Sequence, residues 1–224
     1  MDSPVNIRQL SVSRVPIMMY HHINDSDDWF ATSESSLAAQ MDWLAANGYV
    51  SVVAGDLTAA LTIDAPLPER PVMLTIDDGN RTDLVFAATL ARHGYRGVYF
   101  WPDTSPLSEA EMVDLAAQGE IGAHTRTHPD LSTLARAEQR AEMDENARRL
   151  RSITGQPVGT FAYPYGRFDE ASPEVVVELG FDLAFDAWGE PTAVGDIDRL
   201  HVPRFEIPNG ISLDAFITRV EAWR

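Results

Sequence analysis

The chain has 224 residues, enough for one well-packed domain and short for two, and 45% of them are hydrophobic, which excludes a disordered chain. Thirty-four acidic residues against 17 Lys and Arg give a net charge of −17, which argues against a nucleic-acid partner and against an anionic membrane surface. There is no cysteine, so disulfides, thiolate metal sites and cysteine nucleophiles are excluded.

Residues 1–14 are polar and mixed, with no apolar core of signal-peptide length. They read as an N-terminal extension ahead of a single domain over 15–224. No stretch approaches the roughly 18 apolar residues of a membrane span, so a cytoplasmic location is expected.

From there strand and helix alternate. Val15–Tyr20 reads as a buried strand. Ser36–Asn47 reads as a helix with Leu37, Met41 and Leu44 on one face and Gly48 at its end. Tyr49–Val53 is a short strand, Ile63–Pro71 a proline-rich loop and Val72–Ile76 a second buried strand. Thr82–His93 is helical and Gly97–Trp101 extended. A helix opens at Ser108 with Glu111 completing a capping box, and stops at Gly119. Ile121–Ala123 is a strand, and Leu134–Thr154 a long charged helix ended by Gly155. Val158–Tyr163 and Phe181–Phe185 are strands around a helix that begins at Ser172-Pro173. Leu200–Ile207 is extended, and Ser212–Trp223 is an amphipathic helix. About seven β/α units predict an α/β fold, a distorted (β/α)7-type barrel in a single domain, with its chemistry at the strand C-terminal ends. An open doubly wound sheet is the alternative, without a glycine-rich phosphate loop to support it.

Four strand ends carry polar residues. Val72–Ile76 runs into Asp77-Asp78-Gly79, Ile121–Ala123 into His124 with His128 four residues on, Val15–Tyr20 into His21-His22, and the 158–162 strand into Tyr163-Pro164-Tyr165-Gly166. Adjacent carboxylates raise each other's pKa unless something neutralises them, so Asp77-Asp78 after an apolar strand asks for a cation. Asp-Asp-Gly is also ordinary turn composition. Two imidazoles and a carboxylate form a ligand set that leaves positions open for water and substrate; two unrelated loop histidines are the plain alternative.

The motifs LTIDDGN, GAHTRTHPDL and FAYPYGRFD, in that order, resemble the polysaccharide deacetylase family, the NodB-homology domain, over about residues 15–207. PIMMYHHI, GEIGAHT and FAYPYG resemble in particular the branch acting on poly-N-acetylglucosamine, in which a histidine-bearing strand found late in other members comes early. The resemblance implies a metal-dependent enzyme that removes acetyl groups from N-acetylated sugars. It makes Asp78, His124 and His128 ligands of one divalent ion, zinc first, with cobalt or nickel as substitutes. It makes Asp77 the general base and His21 the general acid, and gives a backbone N–H after Gly79 a part in holding the oxyanion. Tyr165 belongs to the motif that shapes the groove wall. Tyr163, Trp101 and Trp188 are candidate sugar-stacking surfaces, with plain core packing as the alternative.

Three departures from the family pattern stand out. Ala162 occupies the place where an arginine often braces the catalytic aspartate, and Arg204 is the candidate replacement. Asn80 stands where an aromatic is common. His201, in RLHVPRFEI, competes with His21 for the acid's role. A non-haem iron oxygenase and a catalytically silent sugar-binding module are the other function classes compatible with these residues.

Overall fold

A computed structural model describes residues 14–223 of the protein. The expected N-terminal extension therefore lies, all but its last residue, outside the described residues. In chain order the elements are β1 (Ile17–Tyr20), β2 (His22–Ile23), β3 (Ala31–Thr32), α1 (Glu34–Ala46), β4 (Val50–Ser51) and α2 (Ala54–Ile63). Then come β5 (Pro71–Asp77), α3 (Asp83–Arg92), β6 (Val98–Trp101), α4 (Glu109–Ala116), β7 (Glu120–Ala123) and α5 (Arg136–Thr154). The chain ends with β8 (Thr160–Ala162), α6 (Ala171–Glu178), β9 (Leu183–Phe185), β10 (Phe205–Glu206) and α7 (Leu213–Ala222).

The strands run parallel in the order β10-β1-β5-β6-β7-β8-β9, with β4 paired to the start of β5. One segment joins the two edges. Val202 bridges Phe185 of β9 in parallel, and three residues later β10 pairs with β1. Residues 202–206 therefore close the curled sheet into the expected distorted (β/α)7-type barrel. No helix among the described residues is long and apolar enough to cross a membrane.

Local signals fix the helix ends. Ser33 accepts from Ser36 N, Ser108 and Glu111 form a reciprocal capping box, Ser212 accepts from Ala215 N, and Gly155 ends α5 in the left-handed region at φ 68. α2 is an element the sequence reading lacks. Its AGDLTAALTI is small and apolar nearly all round, so no polar stripe reveals a 3.6-residue period. The short pairing of β2 with β3 is a second addition.

Strand parity sorts the side chains into two cores. Ile17, Met73, Val98, Phe100, Ala162, Leu183, Phe185 and Val202 fill the barrel interior. Their strand neighbours Met18, Leu74, Ile76, Tyr99, Trp101, Phe161 and Ala184 face the helices. Extending each strand in steps of two carries the inward face to His21 on β1, Asp77 on β5, His124 on β7, and Arg204 and Glu206 at β10. The polar residues at one barrel mouth are thus the continuation of its apolar interior.

Candidate active site

The inward residues of that mouth frame a cavity of about 230 Å³. His21, Asp77, Asp78, His124 and His128 line its floor, and Tyr163, Tyr165, Trp188, Phe30 and Glu206 its walls.

Asp77 and Asp78 part company because the chain turns between them. Asp77 ends β5 facing inward, whereas Asp78 and Gly79 take positive φ values of 72 and 63. A Cβ on Gly79 would lie 2.9 Å from both Ser105 Cβ and Trp101 Cδ1, so only glycine lets the turn rest on that tryptophan.

Asp77 is 2% exposed. Arg204 meets it with both ends of its fork, Nη1 to Oδ1 at 2.8 Å and Nη2 to Oδ2 at 2.7 Å. The same guanidinium donates to Thr75 Oγ1 and to the Asp186 carbonyl, and lies against the rings of Phe100 and Phe185. Burial alone would raise Asp77. The charge and hydrogen bonds of Arg204, with His124 and His21 nearby, outweigh it and hold the carboxyl below its ordinary range.

Asp78 meets the two imidazoles instead. Its Oδ1 lies 3.4 Å from His124 Nε2 and 3.2 Å from His128 Nε2, and the two Nε2 atoms are 3.1 Å apart. Among the described residues these three form the one cluster with metal-ligand spacing. Ligands about 2.0–2.1 Å from a tetrahedral ion stand about 3.3 Å from one another, so the donor set fits zinc. His124 Nδ1 donates to the Ala162 carbonyl at 2.8 Å, which fixes the tautomer and leaves Nε2 as the electron-pair donor. Burial raises Asp78, and the adjoining histidines, when protonated, bring it below the carboxylate range.

The loop between the histidines is held by residues that motif reading does not find. Asn146 on α5 accepts from His124 N and donates to the Trp101 carbonyl. Glu142, one turn earlier, accepts from the backbone and hydroxyl of Thr127. Both face inward from a helix whose charged composition conceals which polar residues are buried. Thr125 and His128 carry positive φ, the turn that folds the second imidazole back on the first.

His21 lies in the cavity with its ring 4.7 Å from Phe30. Burial lowers its pKa, and the negative charges of Asp77 and Asp78 offset part of that. His201 is elsewhere, 3.5 Å from Asp186 and packed on Phe168. Tyr165 is half exposed, held at φ 59, and sets its ring edge-on to His128. Tyr163 walls the cavity but is buried, with its hydroxyl donated to the Leu200 carbonyl. Trp188 is 62% exposed and offers an open ring.

Trp101 requires a correction. It lies on the helix-facing side of β6, fully buried, and its indole N–H donates to Asp83 at 2.8 Å. No face is open to a sugar; it is the floor beneath the Gly79 turn. Alternation of Tyr99 and Trp101 with the inward Val98 and Phe100 was the signal. Phe30 and Glu206 line the cavity without having been singled out; Glu206 was legible as the inward residue two after Arg204.

Residues 64–184 match the family model described as polysaccharide deacetylase, which spans Asp77, Asp78, both histidines and the tyrosine motif but neither His21 nor Arg204. Over its whole length the chain is 26% identical to YxkH of Bacillus subtilis, a protein named as a polysaccharide deacetylase, and covers 82% of it. It is 23% identical to the poly-β-1,6-N-acetyl-D-glucosamine N-deacetylase of Escherichia coli over 90% of this chain, which spans only 38% of that enzyme's length. The fold superposes on the Streptococcus pyogenes deacetylase PplD, solved with acetate, at a TM-score of 0.85 and 19% identity, covering 93% of this chain and 98% of that one.

Proposed function

The chain belongs to the polysaccharide deacetylase family, and from that premise we propose that it is a divalent-metal-dependent hydrolase removing N-acetyl groups from an N-acetylated aminosugar or polysaccharide. The observation that carries the reading is the division of the two carboxylates. Asp78 joins the imidazoles at ligand spacing, whereas Asp77 is held ionised beside them by Arg204.

Asp78 Oδ1, His124 Nε2 and His128 Nε2 would hold the ion. When bound, a divalent ion acts as a Lewis acid toward a carbonyl oxygen and eases the ionisation of water. Asp77 accepts the proton of the attacking water, a task that requires an ionised carboxylate with a fixed orientation. Arg204 supplies both conditions: its charge keeps Asp77 deprotonated and its fork fixes the plane of the carboxylate. His21 donates a proton to the departing amine. Its burial favours the neutral ring, so the protonated ring gives its proton up readily. Tyr165 and Trp188 wall the place where the sugar rests.

The test is acetate release from a chitooligosaccharide and from a β-1,6-linked N-acetylglucosamine oligomer, before and after chelation. The reading expects release that stops with chelator and returns with zinc. Release indifferent to chelator overturns the metal's part. Sugar binding without release points to a silent binding module, and oxygen uptake to an iron oxygenase.

A further inference from the structure

Helix α5 packs against β7 and presents two buried side chains to the loop that joins the histidines. Glu142 and Asn146 lie four residues apart on one face, about 6 Å along the axis. Asn146 is fully buried and holds the start of the loop. Its Oδ1 accepts from His124 N at 2.9 Å, and its amide donates to the Trp101 carbonyl at 3.0 Å and to Asp103 Oδ1 at 2.7 Å. The Asp103 N–H in turn donates to the carbonyl of Arg126, between the two histidines. Glu142 holds the far end. Its Oε2 accepts from Thr127 N at 2.7 Å, and its Oε1 accepts from Thr127 Oγ1 at 3.0 Å and from Arg126 Nη2 at 3.1 Å. Thr127 is the residue before His128.

The two histidines depend on these holds unequally. His124 has a second fix, the bond from its Nδ1 to the Ala162 carbonyl. His128 Nδ1 has no protein partner among the described residues, and the ring rests edge-on against Tyr165. The place of His128 opposite His124 therefore follows from its backbone. That backbone is strained, since Thr125 and His128 both carry positive φ. Such residues persist where the surroundings over-determine them. The Thr125 hydroxyl, which accepts from His128 N at 3.1 Å, supplies one restraint from within the turn. Glu142 supplies the other from outside it, on the residue that leads into His128.

We propose that Glu142 and Asn146 are positioning residues for the metal site. Helix α5 is the template that sets the separation of the two imidazoles, and Glu142 holds the strained turn that brings His128 back to His124. Neither side chain lines the catalytic cavity, so each acts through the histidines and its loss appears first in metal affinity. This role presupposes the metal site of the deacetylase reading. It also orders the two residues: Glu142 matters more, because His128 lacks the second fix that His124 has.

The test measures zinc affinity by competition with a chromophoric chelator, and the visible spectrum of the cobalt-loaded protein, for wild type and variants prepared metal-free. Glu142→Ala is expected to weaken zinc binding about 10–100-fold and to change the cobalt spectrum, because one imidazole is misplaced. Asn146→Ala should weaken it less. Glu142→Gln keeps an acceptor for the Thr127 N–H and should recover most of the affinity. Thermal unfolding of the metal-free proteins separates positioning from plain stability: a Glu142→Ala protein that melts earlier yet shows wild-type zinc affinity and cobalt spectrum overturns the proposal. Should Glu142→Ala fail to fold, Asn146→Asp carries the test. It sets two carboxylates together and should weaken zinc binding, and adding Asp103→Asn should restore it; wild-type affinity in Asn146→Asp, or no recovery in the pair, overturns the template. A wild type that binds neither zinc nor cobalt overturns the metal's part in the deacetylase reading and the positioning role with it. Tight wild-type binding with equal affinity in every variant overturns the positioning role alone.

Discussion

Asp77 and Asp78 are adjacent in the chain and stand in unlike surroundings. Asp77 is buried at the inner end of the cavity, its charge already balanced by a guanidinium that itself lies against two phenyl rings. Asp78 is about a third exposed and faces two imidazole nitrogens that lack a fixed positive charge of their own. Two carboxylates side by side would ordinarily repel and raise each other's pKa. Here both are pulled down, Asp77 chiefly by Arg204 and Asp78 chiefly by the two imidazoles, because one positive φ at Asp78 sends the second side chain out of the strand's alternation. The protein supplies the counter-charge for the base, and the ligand cluster calls for one from outside.

Removing the ligands should break the comparison most severely. Replacing His124 and His128 together by Ala is expected to abolish metal retention and acetate release while Arg204 still holds Asp77. Metal content by elemental analysis, with acetate release on the same sample, checks this; a fully metalled double variant would contradict it.

Arg204→Ala attacks the other side. Breaking a fully buried ion pair strands a charge and should cost about 3–5 kcal/mol, read by denaturant unfolding. The pH dependence should change sign. In the wild type Asp77 lies below its unfolded value, so the pair's stabilisation is complete above about pH 4 and is lost as pH falls through the lowered folded value. In Arg204→Ala burial dominates and raises Asp77, so stability is lost as pH rises above about 4. The acidic limb of the pH–rate profile should move up with it. Arg204→Lys keeps the charge without the fork and should fall between the two.

The fold was legible where periodicity or punctuation was strong. Apolar runs marked the strands, and the Ser108–Glu111 box and Gly155 marked helix ends. α2 escaped because its residues offer no contrast between faces. The barrel was expected from the count of β/α units, but the segment that closes it, 202–206, was not readable because pairing across the chain leaves no local trace; Arg204 was legible as the partner of Asp77 only through the missing arginine at Ala162. Aspartates and histidines at strand ends were visible as a group. The misreading of Trp101 came from treating every aromatic near a strand end as equivalent, when parity puts Trp101 and Asp77 on opposite faces of the sheet.

His21 and His201 sharpen the comparison further, since one shares the cavity with both aspartates and the other packs on Asp186. His21→Ala should lower the rate by about 10²–10⁴ with metal content unchanged, and His201→Ala far less. The reverse order would exchange their roles.

Gly79→Ala should have the smallest effect. A side chain there meets Ser105 and Trp101 in a left-handed turn, and a cost of about 1–3 kcal/mol is expected from thermal unfolding. Restoration by trimming Ser105 to Gly would tie part of the loss to that contact.

The division of labour between the two carboxylates is tested most directly in Asp77→Asn, by measuring bound zinc and acetate release on one preparation. The amide keeps the shape of the side chain and cannot accept the water's proton. The account predicts one zinc per chain, as in the wild type, with the rate lowered by at least about 10². A variant that releases acetate within a few-fold of the wild type, or that loses its zinc along with its activity, would contradict it.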